Sequence, residues 1–183
     1  MKIAILDRAK KKKFIAGLAD MGMKKIPELL IRSGKERIRA YSGNLSNEEI
    51  MEVWRLLPIE GVGLYVGKDM VNRNGVHEIR LSLDGMHTWK EQLTERVLEL
   101  DGEQEEEWFK GKEIELNEDQ IGKISDGFVN VKAGEDFVGV GKIGRSGAAR
   151  GIPSKEGTKV PSSSGKILFG FLPKERRRKS QTI

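Results

Sequence analysis

DGFVNVKAGEDFVGVGKI, residues 126–143, is rich in valine, phenylalanine and glycine and has no helical repeat of apolar positions. It reads as two short strands, at 127–131 and 137–142. Before it, residues 112–116 predict another short strand and residues 117–123 one or two helical turns. After it, residues 166–172 predict the last strand, which Pro173 closes. Several short strands with one small helix indicate a compact β-barrel or sandwich over residues 108–178. Residues 144–165 form a Gly/Ser/Pro/Lys-rich loop, long for the inside of a compact domain and expected of a mobile or functional segment. Gly139, Gly141 and Gly144 match a G-x-G-x-x-G pattern. No helix or βαβ unit surrounds them, so they are expected to permit bending or close backbone approach rather than dinucleotide binding.

Upstream the grammar is mixed. Residues 8–22 place Phe14, Ile15, Leu18 and Met21 at helical spacing among lysines, and Gly22 ends this basic helix. Pro27 suits the first turn of a second short helix carrying Leu29, Leu30 and Ile31. Residues 37–42 alternate like a strand, with Ile38 and Ala40 on one side. Ser46 and Glu49 form a capping box that opens a helix with Ile50, Val53, Trp54 and Leu57 on one face and Pro58 as its stop. Strands follow at 63–67 and 76–83, joined by turn chemistry at 72–75, with Asp84-Gly85 as a turn at the strand end. A short helix at 86–93 and a strand at 97–100 complete this half. The acidic run 103–107 is expected as a solvated connector. The predicted class is therefore α+β: a mixed α/β domain at 1–102, a β-barrel domain at 108–178 and a tail at 179–183.

The 183 residues contain no cysteine, which excludes disulfides, iron–sulfur clusters, Cys-ligated zinc and a thiol nucleophile. His77 and His87 are the only histidines and are expected at or near the surface rather than on a metal. No apolar run approaches the roughly 18 residues that span a bilayer. The opening MKIAILDRAKKKKF does not have the form of a secretory leader, so a cytoplasmic location without a membrane partner is expected. The net charge of +5 is unevenly spread. Residues 1–40 hold twelve Lys/Arg against four Asp/Glu, and residues 141–183 hold eleven against two. Residues 41–140 hold ten against twenty-two. Two basic ends flanking an acidic middle suit contact with a polyphosphate chain. Six Gly-Lys pairs occur, but none is followed by Ser or Thr, and Asp136 stands where GVGKIG would need the first glycine of a phosphate loop. No nucleophile–base pair stands out. Phe169 and Phe171 share one face of the last strand and are expected in the core rather than as base-stacking platforms. Lys174, Arg176, Arg177, Arg178 and Lys179 follow directly.

WFKGKEIEL (108–116), the helical turn after it, DGFVNVKAGEDFVGVGKI (126–143) and GKILFGFLPKERR (165–177) together resemble a PUA domain, a pseudo-barrel of RNA-modification enzymes and ribosome-assembly factors. SGKERIRAYSGNLSNEEI (33–50), GLYVG (63–67) and EIRLSLDGMH (78–87) resemble the α/β pre-PUA domain found in two groups. These are the Sun-family RNA cytosine-5-methyltransferases and the small pre-PUA/PUA factor of large-subunit ribosome biogenesis. The resemblance implies structured-RNA contacts at Lys123, Ser125, Gly127, Lys166, Lys174, Arg176 and Arg177; Lys142, Arg145 and Arg178 complete the expected RNA-binding set. The methyltransferases use cysteines and bind S-adenosylmethionine in a Rossmann-like domain; neither is present here. The chain then corresponds to the RNA-binding end alone, or to a companion acting in trans. The expected function is a non-catalytic RNA-binding protein, with no cofactor and no metal. It docks rRNA or tRNA beside an RNA methyltransferase or ribosome-assembly factors. The alternatives are a protein-interaction adaptor in which 103–107 meets a basic partner, and an RNA-modifying enzyme.

Overall fold

The protein is described from a computed structural model, covering residues 2–57, 59, 61–72, 74–145 and 165–178. It divides into two units, Met1–Glu95 and Arg96–Ile183, and is α+β in class.

The first unit runs β1 (Ile3–Ile5), α1 (Arg8–Ala16), β2 (Leu29–Ser33), β3 (Arg37–Tyr41), α2 (Asn47–Leu56), β4 (Leu64–Val71), β5 (His77–Leu81) and α3 (Leu83–Thr88). Its strands form one antiparallel sheet in chain order. The helix expected after Pro27 is instead β2. Leu30 and Ile31 are both fully buried, on opposite faces of a strand paired on both sides. A short apolar run buried on two faces carries no period that separates strand from helix. β1, for which the sequence predicts no element, is one of the two edge strands.

α2 opens with the expected capping box. Ser46 Oγ accepts from the Glu49 N–H at 3.2 Å, and the Glu49 carboxylate accepts from the Ser46 N–H at 2.7 Å. Its Ile50 packs with Ile3 and Ile31 on one face of the sheet. Pro58, the expected stop, lies outside the described residues. α1 ends at Gly17, which passes so close to Ile79 that an added Cβ would stand 2.6 Å from its Cδ1. Asp84 and Gly85 lie inside α3 rather than in a turn, because Ser82 caps this helix by accepting from the Gly85 N–H at 3.1 Å.

The second unit runs β6 (Val97–Leu100), α4 (Gly102–Lys110), β7 (Ile114–Glu115), α5 (Glu118–Lys123), β8 (Gly127–Ala133), β9 (Asp136–Arg145) and β10 (Lys166–Gly170). The sheet order is β6-β8-β9-β10-β7, with β6 parallel to β8 and the other pairs antiparallel. This curled half-barrel closes on Leu98, Trp108, Ile114, Val129, Val131, Ile143 and Leu168. The acidic run 103–107 is not a connector: it lies within α4, and β6 before it already belongs to the second sheet. Glutamate is a good helix former, Asp101 caps the helix, and Gln104 and Trp108 at i and i+4 turn inward while Glu103 and Glu106 stay exposed.

Trp108 needs two glycines. Gly139 (φ +148°) and Gly170 leave room for its indole, and an added Cβ would stand 3.0 and 3.1 Å from it. The indole N–H donates to the Val138 carbonyl at 3.3 Å. The edge strands β6 and β7 are bridged by side chains. Gln120 Nε2 donates to the Glu99 carbonyl at 2.9 Å, Gln104 Nε2 donates to the Glu115 carbonyl at 3.1 Å, and the two amides bond each other at 2.9 and 3.0 Å. Each glutamine is also the third residue of its helix's capping box, so caps and bridge share the same two side chains. The long loop expected at 144–165 lies almost wholly outside the described residues, as does the 179–183 tail. Among the described residues no helix is long and apolar enough to cross a membrane.

Candidate nucleic-acid interface

The residues expected to meet RNA fall into three groups on the second unit. The first surrounds the entry to β8. Arg96 has φ +50°, the one positive-φ residue other than glycine among the described residues. Its Nε donates to the Phe128 carbonyl at 2.8 Å and its Nη1 to the Ser125 hydroxyl at 2.7 Å. Its Nη2 donates to the carbonyls of Ser125 and Asp126 at 2.8 and 3.1 Å. Lys166 Nζ donates to the Ile124 carbonyl at 3.3 Å and pairs with the Asp126 carboxylate at 3.1 Å. Ser125 and Lys166 thus hold this turn in shape. Gly127 starts β8 at φ +119°, and Lys123 ends α5 as an exposed cation. Arg145 is in backbone register with Lys166; its side chain lies outside the described residues.

The second group lies mid-sheet. Lys142 stands opposite Phe128 on β8 and Phe169 on β10, so these three side chains share a face. Lys142 Nζ lies 5.1 Å from the Phe128 ring centroid. Phe171 meets Phe128 edge-on at 5.9 Å. The two phenylalanines expected in the core differ. Phe169 is buried, but β10 ends at Gly170 and Phe171, just past it, is 40% exposed.

The third group is the basic tail, at the far end of β10 from Lys166 and roughly 13 Å or more along the strand direction. Lys174–Arg176 forms a single 3-10 turn. Arg177 Nε donates to the Leu172 carbonyl at 3.1 Å, and its guanidinium lies against Gly111, the cap of α4. The Arg178 N–H donates to the Phe109 carbonyl at 2.8 Å, and its guanidinium sits 4.7 Å over the Phe109 ring. Both arginines lie by the C-terminal end of a helix, where the backbone dipole favours positive charge. The hydrogen bond from Lys110 holds the Glu106 carboxyl below the ordinary glutamate range, and the charges of Lys110 and Arg178 add to this. Lys174 and Arg176 are exposed and have no ion-pair partner among the described residues.

The ten expected residues therefore do not converge on one spot. Lys123, Lys174 and Arg176 present free cations. Ser125, Lys166, Arg177 and Arg178 are engaged by the fold. Reading the sequence missed Arg96, which lies 29 residues from Ser125 and becomes its neighbour only through the β6–β8 pairing. It also missed a cluster in the first unit. There the buried Asp69 carboxylate is paired with Arg32 through one oxygen and with His77 Nδ1 through the other, the latter at 2.7 Å. Both oxygens are thereby engaged. No group of His, Asp and Glu suited to a metal ion occurs among the described residues. No protein-family model matches this sequence, and no curated protein matches it.

Proposed function

We propose that the chain is a non-catalytic RNA-binding protein, with a pre-PUA-type α/β unit followed by a PUA-type barrel, that docks structured rRNA or tRNA. It would act in the cytoplasm, in RNA modification or ribosome assembly, beside a methyltransferase or assembly factors. The observation that carries this reading is the docked tail. Arg177 and Arg178 are fastened to Leu172, Gly111 and Phe109, which fixes Lys174 and Arg176 as exposed cations beside the end of β10. A basic segment held in place loses less conformational freedom on meeting phosphates than a free tail does. A structured RNA that also met Lys123, at the end of α5, and Lys142, on β9, would be selected by shape more than by base edges.

Lys174→Gln with Arg176→Gln is the direct test, because neither side chain holds the fold. Binding to a structured tRNA or rRNA fragment should weaken, and the slope of log K against log salt should become shallower by up to about 2. Unchanged affinity with an unchanged slope removes the assignment. Arg177→Ala is a poor substitute, since it also frees the Leu172 carbonyl.

A second reading has its own observation. Asp101, Glu103, Glu113 and Glu115 line a groove of about 880 Å³ beside α4 and β7, together with Glu106 and Glu107, which are paired with Lys110 and Lys112. A basic protein segment would suit it. Reversing Glu103 and Glu113 to lysine would then abolish co-purification of a partner while leaving RNA affinity intact or raised.

A further inference from the structure

The first unit carries a second cationic surface, which the sequence did not single out. Arg37 and Arg39 are two apart on β3 and so project to one side. Lys68 stands opposite Arg37, Arg80 opposite Lys68, and Tyr65 opposite Arg39. Tyr65 and Lys68 are three residues apart, and a regular strand would send them to opposite faces. The irregularity between Ile38 and Arg39 absorbs one residue and returns both to the same face.

α2 covers the β1–β2 part of this face and Tyr41 of β3 through the cluster of Ile3, Ile31 and Ile50. The part over β3–β5 holds Arg37, exposed, and Arg39, Tyr65, Lys68 and Arg80, each half-buried. The carboxylates on or beside it are Glu36, which reaches Lys68 at 3.5 Å, and Glu78, in register with Met70. Arg37, Lys68 and Arg80 thus face two carboxylates around one aromatic ring, while Arg39 beside them is held by the fold: its Nη1 donates to the Gly63 carbonyl at 2.8 Å and its Nε lies against Gly61. Their proximity is felt by the phenol. Burial pushes Tyr65 above the ordinary tyrosine range, and Arg80, Arg37 and Arg39 pull it back. Ser33, in register with Arg37, has a buried hydroxyl without a hydrogen-bond partner, and Arg39 Nε, one row away, also lacks one. Unsatisfied buried polar groups call for a reason.

We infer that this sheet face, Arg37, Lys68 and Arg80 around Tyr65, binds single-stranded nucleic acid, with the cations on phosphates and a base stacked on the tyrosine. Antiparallel strands presenting an aromatic ring among cations suit an extended strand better than a duplex. A duplex keeps its base faces stacked inside, whereas every unpaired base offers one. The surface lies on a different unit from the basic tail described above and stands or falls separately.

The test uses the full chain and a fluorescein-labelled oligouridylate of about twelve nucleotides, followed by anisotropy over a salt series. Arg37→Gln with Lys68→Gln should weaken binding about tenfold and make the salt slope shallower by about 1.4, the value for two phosphates on a single strand. Tyr65→Leu should weaken it about tenfold, while Tyr65→Phe should bind within about twofold of the parent, since stacking needs the ring and not the hydroxyl. Photocrosslinking should attach RNA at or beside Tyr65. Oligothymidylate run in parallel tells whether the sugar matters, and binding of either strand supports the proposal. Thermal melts identify any variant that has lost its fold, and Tyr65→Phe with the crosslink then decides. The proposal is overturned if the parent binds neither strand, or if the folded charge variant keeps its affinity and slope. It is also overturned if an acidic peptide displaces RNA and binds as tightly, which would make the face a protein contact. The Lys174→Gln/Arg176→Gln variant should leave oligouridylate binding at this face unchanged, so the two interfaces can fail independently.

Discussion

Arg96 shows how much one side chain can hold. It occupies a left-handed backbone conformation that disfavours most side chains, and its guanidinium ties down the carbonyls of Ser125, Asp126 and Phe128. Arg96→Ala should lower stability by about 2 kcal/mol in urea denaturation, because charge-assisted hydrogen bonds are lost and carbonyls are left without partners. Arg96→Lys should recover little, since an ammonium cannot fork to several acceptors in one plane. A loss below about 0.5 kcal/mol, the level of an ordinary surface change, would show that the turn holds itself. Nothing in the residues around position 96 signals this role. By contrast Ser46 and Glu49, a capping pair three apart, were legible at once, because their partners are local.

At the scale of elements, the two reciprocal glutamines replace a missing strand pairing. Gln104→Ala and Gln120→Ala should each cost about 1–2 kcal/mol. A double-mutant cycle should show coupling of about 1 kcal/mol, since the amides bond each other as well as the strand carbonyls. Strict additivity would mean that the bridge between β6 and β7 is incidental. The second capping box, Asp101 with Gln104, stood in the sequence as plainly as the first. The neighbouring glutamates suggest a connector, but charge says little about helicity when a capped, inward-facing i, i+4 pair is present. β2 misled for the opposite reason. Its apolar residues are continuous, and burial on two faces erases the alternation by which a strand is recognised.

Across the whole molecule, acid should be the sensitive direction. Hydrogen bonding from Lys10 lowers the Asp7 carboxyl, the Ser46 backbone lowers Glu49, and Lys110 lowers Glu106. A carboxyl depressed in the folded state stabilises it fully above the unfolded value, and that contribution disappears as pH falls through the folded value. The urea midpoint should therefore hold steady down to the ordinary values of 3.8 for aspartate and 4.5 for glutamate, then fall. Asp7→Asn with Glu106→Gln should blunt that fall; an unaltered acid profile would mean that these exposed pairs are screened by solvent. The sequence by itself determined the α+β class, most strands, the capping box of α2 and the placing of charge at the two ends, because period, capping and composition act over a few residues. Only the tertiary structure decided that β6 joins the second sheet, that Arg96 meets the turn at Ser125, and that Tyr65 and Lys68 share a face. Each of these depends on strand pairing and register, and a single inserted residue in a ladder exchanges the two faces of everything beyond it.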